Sequence, residues 1–251
     1  MQYIDTLILA ILQGLTEFLP ISSSGHLVIG QKLLDIDLPG NAFEVVLHVG
    51  TLMSVLTVFR VELKTLLFNL NDPSNRYYIS AIAIGTIPAL LVGLFLKDYI
   101  SLIFDNIRFV SVSLVFTGVM LITSKFITKR NAKLTLLIGI VIGLAQAVAI
   151  IPGISRSGTT ICMGILMGLS ASEAARFSFL LSIPVIIGAG LLTAMNIETI
   201  PFGLDIILLG ILFSYLVGWI SLKWLLTILS TGKLYWFGVY CLIIGLFVYM
   251  S

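Results

Sequence analysis

Long runs of apolar residues, separated by short polar segments, dominate the chain. A helix that crosses the hydrocarbon layer needs about 20 mostly apolar residues, with a range of ~17–25. Six runs qualify when a few flanking residues are allowed at each end, and we predict that each forms a membrane-spanning helix. They cover approximately Phe43–Phe59, Ile79–Leu96, Phe109–Thr123, Phe177–Met195, Phe202–Leu222 and Leu234–Met250.

Two further apolar stretches are each broken by a segment rich in Pro, Ser and Gly, and then resume in a run too short to cross alone. Irregular backbone at membrane depth must be buried in protein or line a wet cavity, because lipid cannot satisfy its polar groups. We therefore predict two re-entrant helical hairpins. The first comprises Tyr3–Leu19, the break Pro20–His26 and Leu27–Leu34, and the second comprises Leu134–Ile151, the break Pro152–Gly158 and Thr159–Leu169.

The two hairpins resemble each other. Ile21–Gly25 in the first break matches Ile154–Gly158 in the second at four of five positions. A glutamine also precedes a serine by nine residues in both: Gln13 before Ser22, and Gln146 before Ser155. Each half of the chain thus contains one hairpin followed by three spans. Because three crossings reverse direction, the second half would be inverted relative to the first.

These patterns predict an all-α integral membrane protein with about six transmembrane helices and two re-entrant hairpins arranged as an inverted repeat. Residues 1–251 would form a single membrane domain, with half-repeats at approximately 1–124 and 134–251. Inverted halves built around broken helices place a binding site at their interface, near the middle of the bilayer.

Composition and charge support a multi-pass protein of the cell membrane. Hydrophobic residues make up 59% of the chain and charged residues 10%, against ~25% charged residues in soluble domains. Too little charge remains to coat a water-facing surface, so a soluble enzyme, a disordered protein and a nucleic-acid binder are excluded. Membrane lipids are the expected surroundings, no nucleic-acid partner is expected, and the sequence leaves a homodimer open.

Lysine and arginine residues in the short loops favour one face of this topology by ten to three. The positive-inside rule places that face in the cytoplasm, so we expect both termini outside. The ten are Arg60, Lys64, Arg76, Lys125, Lys129, Arg130, Lys133, Arg176, Lys223 and Lys233, and the three are Lys32, Lys97 and Arg108.

Three ionisable residues lie within the predicted hairpins: Glu17 and His26 in the first, and Arg156 in the second. A charge at the centre of a membrane helix costs ~2.5–3.5 kcal/mol on insertion scales, so such residues normally face a cavity and act there. The alternative is an internal polar cluster that only holds the hairpins together.

The segment Ser155–Thr160 opens a short helix and has the chemistry of an anion site. Unpaired backbone N–H groups and the helix dipole favour an anion there, and an arginine can direct two donors onto phosphate oxygens. Ser22, Ser23 and Ser24 would face the anion from the first hairpin. Alternatively, the small residues only pack helices together, an explanation that suits Gly139, Gly143, Gly188 and Gly190 but not Arg156.

Phosphate-ester hydrolysis requires neutralised charge, a positioned nucleophile and proton transfer. Ser23 could be the nucleophile if His26, three residues on, takes its proton, with Glu17 orienting His26 or holding a metal. Glu44 and His48 stand four apart on one helix face, and we assign that pair the structural role that is commoner for such pairs. Asp205 is expected at the interface.

The segments Gln13-Gly-Leu-Thr-Glu17-Phe-Leu-Pro-Ile-Ser-Ser23-Ser-Gly-His26 and Pro152-Gly-Ile-Ser-Arg156-Ser-Gly-Thr-Thr160 together resemble the undecaprenyl-pyrophosphate phosphatase family of the bacitracin-resistance type. The resemblance covers essentially the whole chain. It implies removal of the terminal phosphate from a polyprenyl diphosphate carrier lipid, which recycles the monophosphate for cell-envelope glycan synthesis. It also implies a divalent cation, Mg²⁺ or Ca²⁺, and a site that opens to the outer face.

Carried over by position, the resemblance marks Glu17, Ser23, His26 and Arg156 as catalytic, with Glu17 also as the metal ligand, and it leaves open whether Ser23 or His26 is the nucleophile. The family often has Glu where this chain has Gln13, and we assign Gln13 to substrate positioning. A polyprenyl-phosphate transporter or flippase with the same fold, and a purely structural membrane subunit, are the alternative functions. The predicted phosphate-binding residues are Gln13, Ser22, Ser155, Ser157, Gly158 and Thr160.

Overall fold

A computed structural model of the chain describes residues 3–36, 42–96, 99, 106–127, 131–196 and 202–250. All regular secondary structure in these ranges is helical, which confirms the all-α class. The helices are α1 (Tyr3–Phe18), α2 (Ser23–Leu33), α3 (Ala42–Val58), α4 (Arg60–Phe68), α5 (Pro73–Phe95), α6 (Ile107–Thr123), α7 (Leu136–Val148), α8 (Arg156–Leu166), α9 (Ala171–Asn196), α10 (Leu204–Ser230) and α11 (Tyr235–Met250), with a 3₁₀ turn at Ser124–Phe126.

Four of the six predicted spans are confirmed as single helices within the described ranges. Helices α5, α6 with its 3₁₀ turn, α9 and α10 are each long and apolar enough to cross a membrane. The first predicted span is α3, which bends by 74° and continues as α4, so the pair counts as at most one broken span. The last predicted span, α11, has only 16 residues. The structure therefore supports four or five spans.

Helix α4 occupies a segment that the sequence pattern assigns to a polar loop. Leu66 is buried and Leu63 packs against the core, whereas Arg60 and Lys64 are exposed. This division of apolar and charged faces is typical of a helix lying in a membrane interface. Among the basic residues used to orient the chain, Lys97, Lys129 and Arg130 lie outside the described residues.

The first arm of each hairpin packs against a long helix from the other half of the chain: α1 on α10, and α7 on α5. Small residues allow this approach. A Cβ atom on Gly14 would lie 2.8 Å from the amide nitrogen of Gly218, and one on Gly85 would lie 2.8 Å from the carbonyl oxygen of Gly139. Close backbone packing therefore fixes the position of both hairpins.

The packing explanation for the glycines holds at two of the four positions for which the sequence suggests it. Gly139 and Gly143 both touch α5, whose Ala81 and Gly85 backbone atoms leave no room for a side chain. The packing explanation is wrong for Gly188, because an added Cβ atom there meets nothing within 4 Å in the described part of the chain. It is weak for Gly190, because the nearest atom to an added Cβ, on Val45, is 3.8 Å away. Both lie beyond Pro184 in α9, in a stretch with few close neighbours.

Candidate functional site

The breaks of the two hairpins are in contact inside the protein. The hydroxyl of Ser157 donates to the carbonyl oxygen of Leu19 at 3.4 Å. A Cβ atom on Gly25 would lie 3.2 Å from the Cα atom of Gly153, and one on Gly158 would lie 3.2 Å from the Cβ atom of Pro20. The starts of α2 and α8 therefore lie together, as the sequence predicts.

The repeated Ser-x-x-Gly spacing is explained by helix capping at both starts. Ser22 caps α2 and accepts from the Gly25 amide at 3.2 Å, while Ser155 caps α8 and accepts from the Gly158 amide at 3.1 Å. Ser22 has a φ of 70°, a left-handed conformation that is uncommon for a non-glycine residue. The two caps direct two positive helix ends into the same small region.

Thr117, in the middle of α6, fixes the second break. Its hydroxyl donates to the carbonyl oxygen of Gly153 and accepts from the amide of Ser155, both at 3.1 Å. Both backbone groups are buried, and buried groups of this kind need partners. Sequence reasoning did not identify Thr117, because nothing in the sequence distinguishes its hydroxyl from those of Ser111 and Ser113 in the same span.

Glu17 is the centre of the polar cluster, with only 6% of its surface exposed. Its Oε2 atom accepts from the Ser23 hydroxyl at 2.6 Å and from Gln13 Nε2 at 3.1 Å. Its Oε1 atom accepts from Arg156 Nη2 at 2.5 Å. The structure thus joins four of the predicted site residues, and Arg156 brings the second hairpin to the carboxylate of the first.

Buried polar atoms beside Glu17 are left with unused hydrogen-bonding capacity. Arg156 Nη1 and Gln13 Oε1 are buried and have no hydrogen-bond partner in the described part of the chain. The same is true of both amide atoms of Gln146, which matches Gln13 in the repeat. Because buried polar groups are normally paired, the free atoms of Gln13 and Arg156 are available to bond a polar ligand.

His48 joins this cluster, although sequence reasoning gave it a structural role with Glu44. Its Nδ1 atom lies 2.7 Å from the backbone carbonyl of Glu44, and its Nε2 atom lies 3.5 Å from Glu17 Oε2. Both ring nitrogens face acceptors, so the ring is placed to donate from both. The i, i+4 spacing identified the local contact, but not that α3 turns His48 toward α1.

His26 lies apart from the Ser23–Glu17 contact. Its Nδ1 atom lies 2.8 Å from the carbonyl oxygen of Ser22, and its Nε2 atom lies 2.8 Å from the hydroxyl of Tyr240. The described contacts therefore pair Ser23 with Glu17 and not with His26, and His26 with Tyr240 and not with Glu17. Tyr240 comes from the last helix, and nothing in its sequence context links it to His26.

The remaining predicted residues differ in how free they are to contact a ligand. Ser155 and Ser157 have their hydroxyls 3.3 Å apart at the start of α8. Thr160 is fully buried, donates to the Arg156 carbonyl at 2.7 Å and lies 2.5 Å from the Ser178 hydroxyl, so it ties α8 to α9. Asp205 is exposed and accepts from the Tyr3 hydroxyl, far from the cluster in the chain.

Comparison with known proteins identifies the family. The family model described as "Bacitracin resistance protein BacA" matches residues 6–247. An undecaprenyl-diphosphatase of Halothermothrix orenii is 39% identical over 256 residues, which cover 99% of this chain and 97% of the relative. An undecaprenyl-diphosphatase of Bacteroides thetaiotaomicron is 38% identical over 267 residues, which cover 100% of this chain and 99% of the relative. The chain belongs to the bacitracin resistance protein BacA family.

Proposed function

We propose that this chain is a membrane phosphatase that converts undecaprenyl diphosphate, or a similar polyprenyl diphosphate, into the monophosphate and inorganic phosphate. The names of its full-length relatives support this reaction. One observation in the site carries the proposal: Arg156 holds Glu17 through Nη2, while its buried Nη1 atom is left without a partner among the described residues. A guanidinium N–H group that is free to donate, beside the starts of two helices, suits the phosphate oxygens of a diphosphate head.

Charge neutralisation is the first requirement of this reaction. Phosphoryl transfer depends mainly on positioning and on electrostatic stabilisation of the transferred group. Arg156 Nη1 and the backbone N–H groups at the starts of α2 and α8 would bind the oxygens of the terminal phosphate. The guanidinium keeps its hydrogen bond to Glu17 meanwhile, so the ion pair orients the arginine for the substrate.

Ser23 is the nucleophile that the contacts favour. Its hydroxyl already donates to Glu17 Oε2 at 2.6 Å, so Glu17 would accept the proton as Ser23 Oγ bonds to the terminal phosphorus. The bond between that phosphorus and the bridging oxygen breaks, and the lipid monophosphate leaves as an anion. Water then cleaves the phosphoserine: its oxygen bonds to phosphorus, the bond from phosphorus to Ser23 Oγ breaks, and Ser23 takes back the proton from Glu17. This assigns the role of base toward Ser23 to Glu17, where sequence reasoning suggests His26, and His26 would instead accept the proton that the attacking water loses.

A divalent cation fits this site only when it is shared with the substrate. Among the described residues no three His, Cys, Asp or Glu side chains lie together as metal ligands. Mg²⁺, however, is usually held by one or two carboxylates together with substrate phosphates. Glu17 and the unpaired Gln13 Oε1 atom would hold it with diphosphate oxygens, and it would reduce the negative charge on the phosphate.

We extend the proposal to the arrangement in the membrane. The first arm of each hairpin packs against a helix of the other half of the chain, α1 on α10 and α7 on α5. This arrangement supports two inverted halves, with crossings at α3, α5, α6, α9, α10 and α11. Both termini would lie outside, and the site would open to the outer face. The native cysteines are buried, so a single cysteine introduced into a loop can report which side of the membrane that loop faces. An impermeant maleimide on intact cells should label Asn106→Cys and not Asn75→Cys; the reverse pattern would overturn this orientation.

The central experiment measures phosphate release from undecaprenyl diphosphate by purified protein in detergent. We expect wild type to release phosphate, Arg156→Ala and His26→Ala to be folded but inactive, and the exposed control Arg60→Ala to behave as wild type. Arg156→Lys should lose ~10²–10³-fold, because lysine cannot bond Glu17 and a phosphate with separate, fixed donors. Wild-type release by Arg156→Ala would refute the site. A wild-type protein without activity would refute the function and leave the transporter alternative, which needs a second compartment to be observed.

A further inference from the structure

His26 is held at both of its ring nitrogens, and the second contact is not used in the mechanism above. Only 6% of its surface is exposed. One nitrogen faces the Ser22 carbonyl of its own helix start, and the other faces Tyr240, which comes from the other end of the chain.

These two contacts determine how the ring is protonated. A carbonyl oxygen can only accept, so Nδ1 of His26 carries a hydrogen. In the neutral ring, Nε2 then has the lone pair and accepts from the Tyr240 hydroxyl. If Nε2 gains a proton, the same hydroxyl can rotate and accept from it. Tyrosine can therefore keep this contact in both states of the histidine, which phenylalanine cannot.

Packing around α11 holds Tyr240 in this position. Gly238 allows α11 to approach α6, because a Cβ atom there would lie 2.7 Å from the carbonyl oxygen of Gly118. Cys241 lies 3.8 Å from the carbonyl oxygen of Pro20, so α11 also touches the first break. The rings of His26 and Tyr240 are nearly parallel, with an angle of 10° and centroids 5.6 Å apart.

Exposure differs sharply across this pair. Tyr240 is 39% exposed, whereas His26 is almost fully buried. Since Nδ1 is bonded to the carbonyl oxygen of the cap residue Ser22, Nε2 is the ring nitrogen that can exchange a proton, and the group that meets it is the tyrosine hydroxyl.

We infer that Tyr240 is a positioning residue for His26, which fixes its ring and exchanges protons with Nε2. The inference rests on the proposed phosphatase activity and adds a residue to it. When a proton reaches the tyrosine oxygen, the hydrogen already on that oxygen moves to Nε2, and the reverse exchange releases it. Each transfer moves one proton and leaves the tyrosine neutral.

The kinetic test compares Tyr240→Phe with Tyr215→Phe. Tyr215 is a matched control, because its hydroxyl contacts Thr57 at 3.4 Å and neither residue belongs to the cluster around Glu17. Positioned proton transfer typically contributes 10²–10⁴-fold to a rate. Because Tyr240 acts through His26, we expect Tyr240→Phe to lower kcat by about 10-fold with KM within about twofold of wild type. Tyr215→Phe should match wild type. A kcat within twofold of wild type for Tyr240→Phe would overturn the inference.

A second measurement does not depend on activity. The chain has two histidines, so ¹⁵N-labelled imidazole rings give a spectrum simple enough to assign with His48→Gln. We expect His26 to carry its hydrogen on Nδ1 in wild type, and we expect Tyr240→Phe to shift the Nε2 signal of His26 while His48 is unchanged. An unshifted His26 signal would refute the contact even if the wild-type enzyme is active. An inactive wild type with a shifted signal would refute only the phosphatase function.

Discussion

Gly153→Ala tests whether the second break must pack tightly against α6 for the site to form. Gly153 has a φ of 90°, which L-residues with a side chain rarely adopt. A Cβ atom there would overlap the carbonyl oxygen of Val110 and lie 2.6 Å from the Cβ atom of Ser113. The substitution therefore combines backbone strain with crowding between the break and α6.

Gly232→Ala separates these two effects. Gly232 follows α10 with a φ of 69°, but a Cβ atom there meets nothing within 4 Å among the described residues. Left-handed backbone costs about 1–2 kcal/mol for a residue with a Cβ atom, and this cost is common to both variants. Crowding in a packed interior adds roughly 1–3 kcal/mol at Gly153 alone. The difference between the two variants therefore measures the packing of the break.

Thermal unfolding of the purified proteins and phosphate release are the two measurements. At about 2–4 °C per kcal/mol for a chain of this size, Gly153→Ala should unfold ~2–12 °C below Gly232→Ala. It should also lose most of its activity, because moving Gly153 breaks the Thr117 contacts that position Ser155 and the start of α8. Gly232→Ala should retain activity. If both variants are equally stable and active, the break does not pack against α6 as described.

Three further predictions concern two hydrogen-bonding contacts and the proposed cation. Thr117→Val keeps the side-chain shape but leaves the Ser155 amide without a hydrogen-bond acceptor. It should therefore lower the free energy of unfolding by ~1–3 kcal/mol and reduce phosphate release. The control Thr123→Val, at the exposed end of the same helix, should have neither effect. Asp72, in the loop before α5, has a lowered pKa because the Ser74 hydroxyl and amide donate to its carboxylate. The stability that the Asp72 carboxylate contributes is present above the ordinary aspartate pKa and is lost as the pH falls through the lowered pKa. Asp72→Ala should therefore lower Tm at pH 7, and the difference should vanish in acid; a difference that persists there would contradict the capping role. A chelator should stop phosphate release without changing the Tm of substrate-free protein, because the proposed cation would be shared with the diphosphate; a lower Tm would show a site made by the protein alone.

The sequence brings the two breaks together because the required chemistry is local, although sequence reasoning assigns Glu17 to His26 or a metal and not to Arg156. Ser-x-x-Gly at each break specifies a capped helix start, and two such starts in an apolar chain must be buried together. Glu17 and Arg156 are charges at membrane depth, and each is the natural partner of the other. The structure joins them at 2.5 Å.

The contacts that sequence reasoning missed all come from helices that pack beside the breaks. His48, Thr117 and Tyr240 lie on α3, α6 and α11, and their approach depends on how these helices are rotated. The expected pairing of Ser23 with His26 is absent for a related reason: the histidine ring turns back to the carbonyl four residues before it, and Ser23 turns to Glu17. Spacing places two residues within reach, but competing partners decide which contact forms.

The span boundaries differ from the sequence pattern where apolar length is a poor guide. Phe43–Phe59 was predicted as a full span, but the chain bends by 74° between Val58 and Arg60. Phe59 itself is buried against the ring of Phe179, 6.1 Å away between centroids. An aromatic side chain directed into the core at this point favours a turn, while the charged residues that follow favour the interface.

The starts of α2 and α8 each have a serine cap, but the two hairpins carry complementary chemistry, and this difference suits the proposed action on a diphosphate. At matching positions of the sequence repeat, Glu17 corresponds to Ile150 and Ser23 to Arg156. Two carboxylates facing each other would repel the substrate, and two guanidinium groups without a carboxylate would leave buried charge unpaired. With one of each, Glu17 neutralises part of the charge on Arg156 in the free protein and, in the proposed mechanism, would activate Ser23. The repeat therefore supplies two helix starts in one place, and its divergence supplies the nucleophile on one side and the cation on the other.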